Sequence, residues 1–154
     1  MSESFEVHVA WPADAAQKMP PDPAFSRNNW LGAPGKKEVF GSSPVAFGGD
    51  PGGYNPEELL MLSLSQCHML TYLALAAKKQ FKVIHYEDRA TGSLGKNAEG
   101  RMQVVDVVLH PRVIVAKGTD LAEARAMHVR AHAHCFIAAS VNFPVRNDPE
   151  VAEQ

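Results

Sequence analysis

The chain has 154 residues, 45% of them hydrophobic and 21% charged, with a formal net charge of −2. That length suits one domain with a real core and is short for two. The near-neutral balance, with no run of Lys and Arg, leaves no electrostatic footprint for nucleic acid or acidic lipid. Two cysteines are too few for a disulfide scaffold and point to a redox or buried role in a reducing, cytoplasmic setting.

The opening MSESFEV has neither the basic nor the apolar region of a signal peptide. Phe5 to Trp11 alternates Phe, Val, Val and Trp against Glu, His and Ala, which reads as a strand. Pro12, Pro20, Pro21 and Pro23 then make a long connection. Phe25 to Trp30 and Glu38 to Ser42 are further extended candidates. A Gly-rich loop, Gly48 to Gly53, leads into a helix. It lacks the Lys-Ser or Lys-Thr of a phosphate cradle and no clear strand precedes it, so a plain hinge is expected.

The chain is organised around the next stretch, Asn55 to Ala77. Asn55 suits an N-cap, Pro56 the first helical position, and Glu58 completes a capping box. No charged side chain falls between Leu59 and Ala77, and leucines and methionines occupy every face. A helix apolar all round is buried on all sides. Its uncharged length approaches that of a membrane span. However, Ser63, Ser65, Gln66, His68 and Thr71 interrupt it and no aromatic belt flanks it, so burial in protein is expected. One small domain has trouble covering such a helix, which calls for a partner chain on one side.

Three strand-like runs follow, Phe81 to Gly92, Arg101 to His110 and Arg112 to Ala116, with a turn at Gly95 to Gly100. The valines around Asp106 break strict alternation and predict a bulge or a half-buried edge. Asp120 and Glu123 form a second capping box for a helix running to about Ala139. Phe143 to Val145 is a candidate closing strand, and the tail from Arg146 is expected to be loose. The fold class is α+β with antiparallel sheets around a long buried central helix. Residues 1–154 form one domain: strands and loops over 1–54, the central helix over 55–80, a strand meander over 81–117, and a second helix with a closing strand over 120–146.

Cys67 and Cys135 each sit on a predicted helix beside a histidine, His68 and His134. They are either buried structural thiols or the centre of the chemistry. His128, His132 and Cys135 lie at i, i+4 and i+7, a pattern also compatible with zinc. No short paired-ligand motif supports a metal, and none is expected. Arg27 precedes every other arginine in the chain, and Glu57 sits at the second helical position. An ion pair between them would hold the guanidinium in a defined plane.

NPEELL followed by LSQC, with the second cysteine in HCFIAASVNFPV, resembles the OsmC/Ohr family of thiol-dependent peroxidases. The likeness is most specific over Asn55 to His68 and Ala131 to Val145. It implies an intertwined homodimer with the long helices at its centre. It also implies a stress-response, antioxidant activity: reduction of organic or inorganic hydroperoxides at a reactive cysteine. Cys67 matches the peroxidatic thiol, Cys135 the resolving thiol, Glu57 the family's glutamate and Arg27 its arginine. An external dithiol, of lipoyl type in many relatives, would reopen the disulfide, and no cofactor is required. The Gly-Gly-Arg stretch of the organic-hydroperoxide branch is absent and His68 follows Cys67, so the chain is closer to an OsmC-like subgroup. The competing readings are a non-enzymatic small-ligand-binding protein with the same fold, and a zinc protein using His128, His132 and Cys135.

Overall fold

The computed structural model describes residues 3–154; Met1 and Ser2, which open the MSESFEV segment and the 1–54 section, lie outside them. The chain divides into two compact units, Met1–Leu59 and Leu60–Gln154.

The first unit holds a three-stranded antiparallel sheet in the order β1 (His8–Ala10), β2 (Asn29–Gly32), β3 (Val39–Gly41). The Pro-rich connection between β1 and β2 is pinned by indole N–H groups, Trp11 to the Ser26 carbonyl at 2.9 Å and Trp30 to the Ala13 carbonyl at 3.1 Å. The Gly-rich loop is more ordered than a plain hinge. The Ser42 hydroxyl accepts from the Asp50 N–H and the Asp50 carboxylate from the Gly52 N–H. A Cβ at Gly49 would fall 1.6 Å from the Ser43 carbonyl oxygen, so only glycine fits there. α1 (Pro56–Lys78) begins in this unit. Its capping box forms in both directions: Glu58 N–H donates to Asn55 Oδ1 at 2.8 Å, and Asn55 N–H to Glu58 Oε2 at 3.1 Å.

The second unit holds most of α1 and the rest of the chain. α1 ends in a Schellman-like turn, with Gln80 at φ 58° and the Phe81 N–H donating to the Ala76 carbonyl. The expected first run after the helix is two strands, β4 (Val83–Asp88) and β5 (Thr91–Lys96). Asp88 is the last residue of β4, and its carboxylate ties the strand to its surroundings. It accepts from Ser65 Oγ of α1 at 2.5 Å and from the His110 N–H at 2.6 Å. β6 (Met102–Leu109) pairs with β5, and the register jumps from Ser93↔Asp106 to Leu94↔Val104. Val105 is therefore the extra residue of the expected bulge.

Two expectations need correction. The tail is not loose: β8 (Val145–Asn147) and β9 (Glu150–Glu153) extend two separate sheets, β5-β6-β8 and β4-β7-β9, where β7 is Pro111–Val115. The pairings β6–β8 and β7–β9 are also parallel, so the sheets are mixed. The short turns cannot make parallel crossovers, but α2 (Leu121–Ala133) and the segment after it supply the long connection that parallel pairing requires.

Two apolar clusters result. One gathers Tyr72, Ala76, Val113, Val115, Met127 and Val151, the other Leu64, Val107 and Leu109. α1 serves both through a single stripe, Leu64, His68, Tyr72 and Ala76, at successive i+4 positions. The expectation of burial on all sides is not met within one chain. Leu62 is 51% exposed and Leu70 55%. By length and composition alone α1 would also pass for a membrane span. Its buried stripe instead contains a histidine and a tyrosine with partners in the protein.

Candidate active site

Cys67 lies midway along α1, half-buried, and its thiol is free. Cys135 is not on the second helix, because α2 stops at Ala133, some residues before the expected Ala139. Past the C-cap His134, the chain turns into a 3-10 segment, Ala138–Ser140. This turn points the Cys135 thiol inward, where it is 2% exposed and also free. The Ala138 N–H approaches its sulfur at 3.5 Å. The Cys67 side chain is its neighbour. Burial raises the Cys135 pKa, and the contact with Cys67 raises it further against a smaller opposing pull from the Ala138 N–H. Cys135 therefore keeps its proton at neutral pH.

The other expected site residues are placed differently. The Arg27 guanidinium lies 3.7 Å from the centroid of the Phe25 ring and donates to the Phe25 carbonyl. Glu57 Oε2 is buried with no hydrogen-bond partner among the described residues. The expected Arg27–Glu57 ion pair is not among the salt bridges of the described residues. The zinc pattern also fails. Cys135 falls outside the helix that carries His128 and His132, and His128 Nδ1 is engaged by His68 Nε2 at 3.0 Å. Among the described residues, no three His, Cys, Asp or Glu side chains are placed to hold a metal ion.

The His68–His128 pair is the feature that sequence reasoning missed. Both rings are buried, at 1% and 0% exposure. They stack almost parallel, and His128 stacks on Tyr72 with centroids 4.2 Å apart. The available signal was that His68 shares the i+4 stripe of Leu64, Tyr72 and Ala76. Burial lowers the His68 pKa to about 4, helped by nearby His132 and opposed by Asp88. Burial, followed by His68 itself, lowers that of His128 to about 3. Both rings are thus neutral, one donating and one accepting.

A pH dependence follows. The unfolded chain takes up protons on these histidines near 6.5, before the folded chain does. Stability contributed by the neutral pair is therefore present above pH 6.5 and is lost as pH falls from there toward about 4. Urea midpoints should drop between pH 7 and 5, and drop less in a protein carrying both His68→Gln and His128→Asn.

A cleft of about 390 Å³ runs between α1 and β4, lined by Leu62, Ser65, Gln66, Met69, Tyr86 and Asp88. Its walls are mixed, with an apolar floor and the Ser65–Asp88 hydrogen bond at one side.

A mixed α+β fold in which a long helix delivers one cysteine to another on a turn defines a class of thiol protein. The chain belongs to the OsmC family, whose model of OsmC-like proteins matches residues 48–149. An OsmC-like protein of unknown function from Vibrio cholerae is 33% identical, with a TM-score of 0.87 over 97% of this chain and 100% of that one. Two more distant structures share the fold at 18% identity. One is an organic hydroperoxide resistance protein OsmC from Legionella pneumophila, with a TM-score of 0.69 over 97% of each chain. The other is the organic hydroperoxide resistance protein OhrB of Bacillus subtilis, with a TM-score of 0.65 over 97% of this chain and 98% of that one. No curated protein sequence matches the chain.

Proposed function

We propose that the chain is a dithiol-dependent hydroperoxide reductase. The observation that carries this reading is that its only two cysteines, both free, are neighbours, one half-buried and one fully buried. The Cys67 thiolate attacks the outer peroxide oxygen, the O–O bond breaks, and the alkoxide leaves and is protonated. Cys67 becomes a sulfenic acid and the peroxide is reduced to an alcohol, or to water from hydrogen peroxide. The Cys135 sulfur then attacks the sulfenic sulfur, forming the disulfide and releasing water. An external dithiol of lipoyl type reopens it by two exchanges, returning two thiols and leaving as its own disulfide. No step calls for a metal or organic cofactor, and a reducing cytoplasmic setting suits the cycle.

Arg27 and Glu57 belong to this reading through the family resemblance. Arg27 would orient the peroxide and stabilise the thiolate, and Glu57 would fix the guanidinium. Both would be supplied across a homodimer. The unpartnered Glu57 Oε2 suits a carboxylate that acquires its partner on assembly.

The test is peroxide consumption with a panel of dithiols, using cumene hydroperoxide and hydrogen peroxide. Multiple turnovers with dihydrolipoamide are expected. No consumption with any dithiol would remove the enzymatic reading and leave ligand binding in the α1–β4 cleft as its replacement.

A further inference from the structure

We infer that the buried His68–His128 dyad is a positioning device for the thiol pair, setting how closely Cys67 and Cys135 approach and hence how stable their disulfide is. The inference rests on the two-thiol reading above. α1 and the α2 segment meet in antiparallel order. His68 bonds His128 at 3.0 Å, the Tyr72 hydroxyl donates to the Ala124 carbonyl at 3.2 Å, and Cys67 neighbours Cys135 at the other end. Tyr72 lies four residues after His68 and Ala124 four before His128, one turn along each helix. Long side chains span the gap between the helices, so their geometry sets its width.

The dyad is the rung next to the thiols. His68 follows Cys67 directly, and His128 lies on the helix whose end launches the Cys135 turn. It is also the costly rung. Two imidazoles with exposures of 1% and 0% take the place of apolar residues at the junction between the two core clusters. Burying polar rings is unfavourable unless they are bonded, and each ring keeps a further nitrogen, His68 Nδ1 and His128 Nε2, without a partner among the described residues. Packing alone would be served better by leucine. What the pair adds is a directional 3.0 Å bond between α1, which carries Cys67, and α2, whose end leads into the Cys135 turn.

The disulfide equilibrium depends on the effective concentration of one thiol at the other, and a fixed strut raises it. The readout is the exchange of the reduced protein with oxidised dithiothreitol, giving the Cys67–Cys135 disulfide and reduced dithiothreitol. It involves no peroxide. His68→Leu and His128→Leu should each lower the equilibrium constant for disulfide formation at least about tenfold, a potential about 30 mV less reducing. His68→Gln places an amide nitrogen where Nε2 stood and should remain near wild type. His68→Asn withdraws it and should shift like leucine.

If the leucine variants do not fold, the Gln and Asn comparison decides. Wild-type equilibria in folded leucine variants, or equal behaviour of His68→Gln and His68→Asn, overturn the inference. A wild-type protein that forms no Cys67–Cys135 disulfide in this buffer would instead defeat the two-thiol reading itself.

Discussion

Cys67→Ser should reduce hydroperoxide consumption to the uncatalysed background, a loss of at least about a thousandfold, because the nucleophile itself is removed. Cys135→Ser behaves differently. It should consume one equivalent per chain in a burst and then stop, because a sulfenic acid at Cys67 would have no resolving thiol. The asymmetry follows from the two environments. Cys67 is half-buried on α1 and reachable, whereas Cys135 is 2% exposed and keeps its proton chiefly through burial. Stopped-flow peroxide depletion separates the two cases. Steady turnover by Cys67→Ser, or a burst from Cys67→Ser in place of Cys135→Ser, would reverse the assignment.

A mixed dimer of Glu57→Ala and Cys67→Ser chains should regain activity that neither parent homodimer shows. Ten residues of α1 separate Glu57 from Cys67, about 15 Å of helix axis, more than a glutamate side chain can span. A Glu57 that serves Cys67 is therefore supplied by the partner subunit. An antiparallel pairing of two α1 helices achieves this and covers the side of the helix that one chain leaves open, including Leu62 and Leu70. In the mixed dimer, the Cys67 of one chain meets the Glu57 of the other. One of two sites would then be intact, and about half the wild-type activity per dimer should return. The isolated heterodimer is assayed after co-refolding. Activity no higher than that of either parent counts against shared sites, and an active monomer in sedimentation ends the idea.

The strongest local signals in the sequence had physical counterparts. The Asn55–Glu58 box formed as written because both halves of a capping box are local and need nothing from the rest of the fold. The second box formed only halfway. Asp120 accepts from the Glu123 N–H, but the Glu123 carboxylate is drawn off by Lys79 and Arg130, one of them remote in sequence. The strand pairing of the tail was invisible for the same reason: β8 and β9 are short and polar, and the register comes from β6 and β7. α2 ended early because the helical pattern after Ala133 is overridden by the turn that buries Cys135. The family resemblance singled out both cysteines as expected site residues. The histidine dyad carried only a one-residue signal, since a lone histidine on an apolar stripe names no partner until the fold supplies His128.

The measurement closest to the central claim is a thiol count on the reduced protein before and after one equivalent of cumene hydroperoxide, with peptide mapping of the product. Two free thiols per chain should fall to none, with one equivalent of alcohol released and a single Cys67–Cys135 cross-linked peptide. The Cα atoms of that pair should lie within about 7 Å in the oxidised form. Two thiols remaining with the peroxide unspent, or Cys67 carried to the sulfinic acid with Cys135 still reduced, would contradict the account.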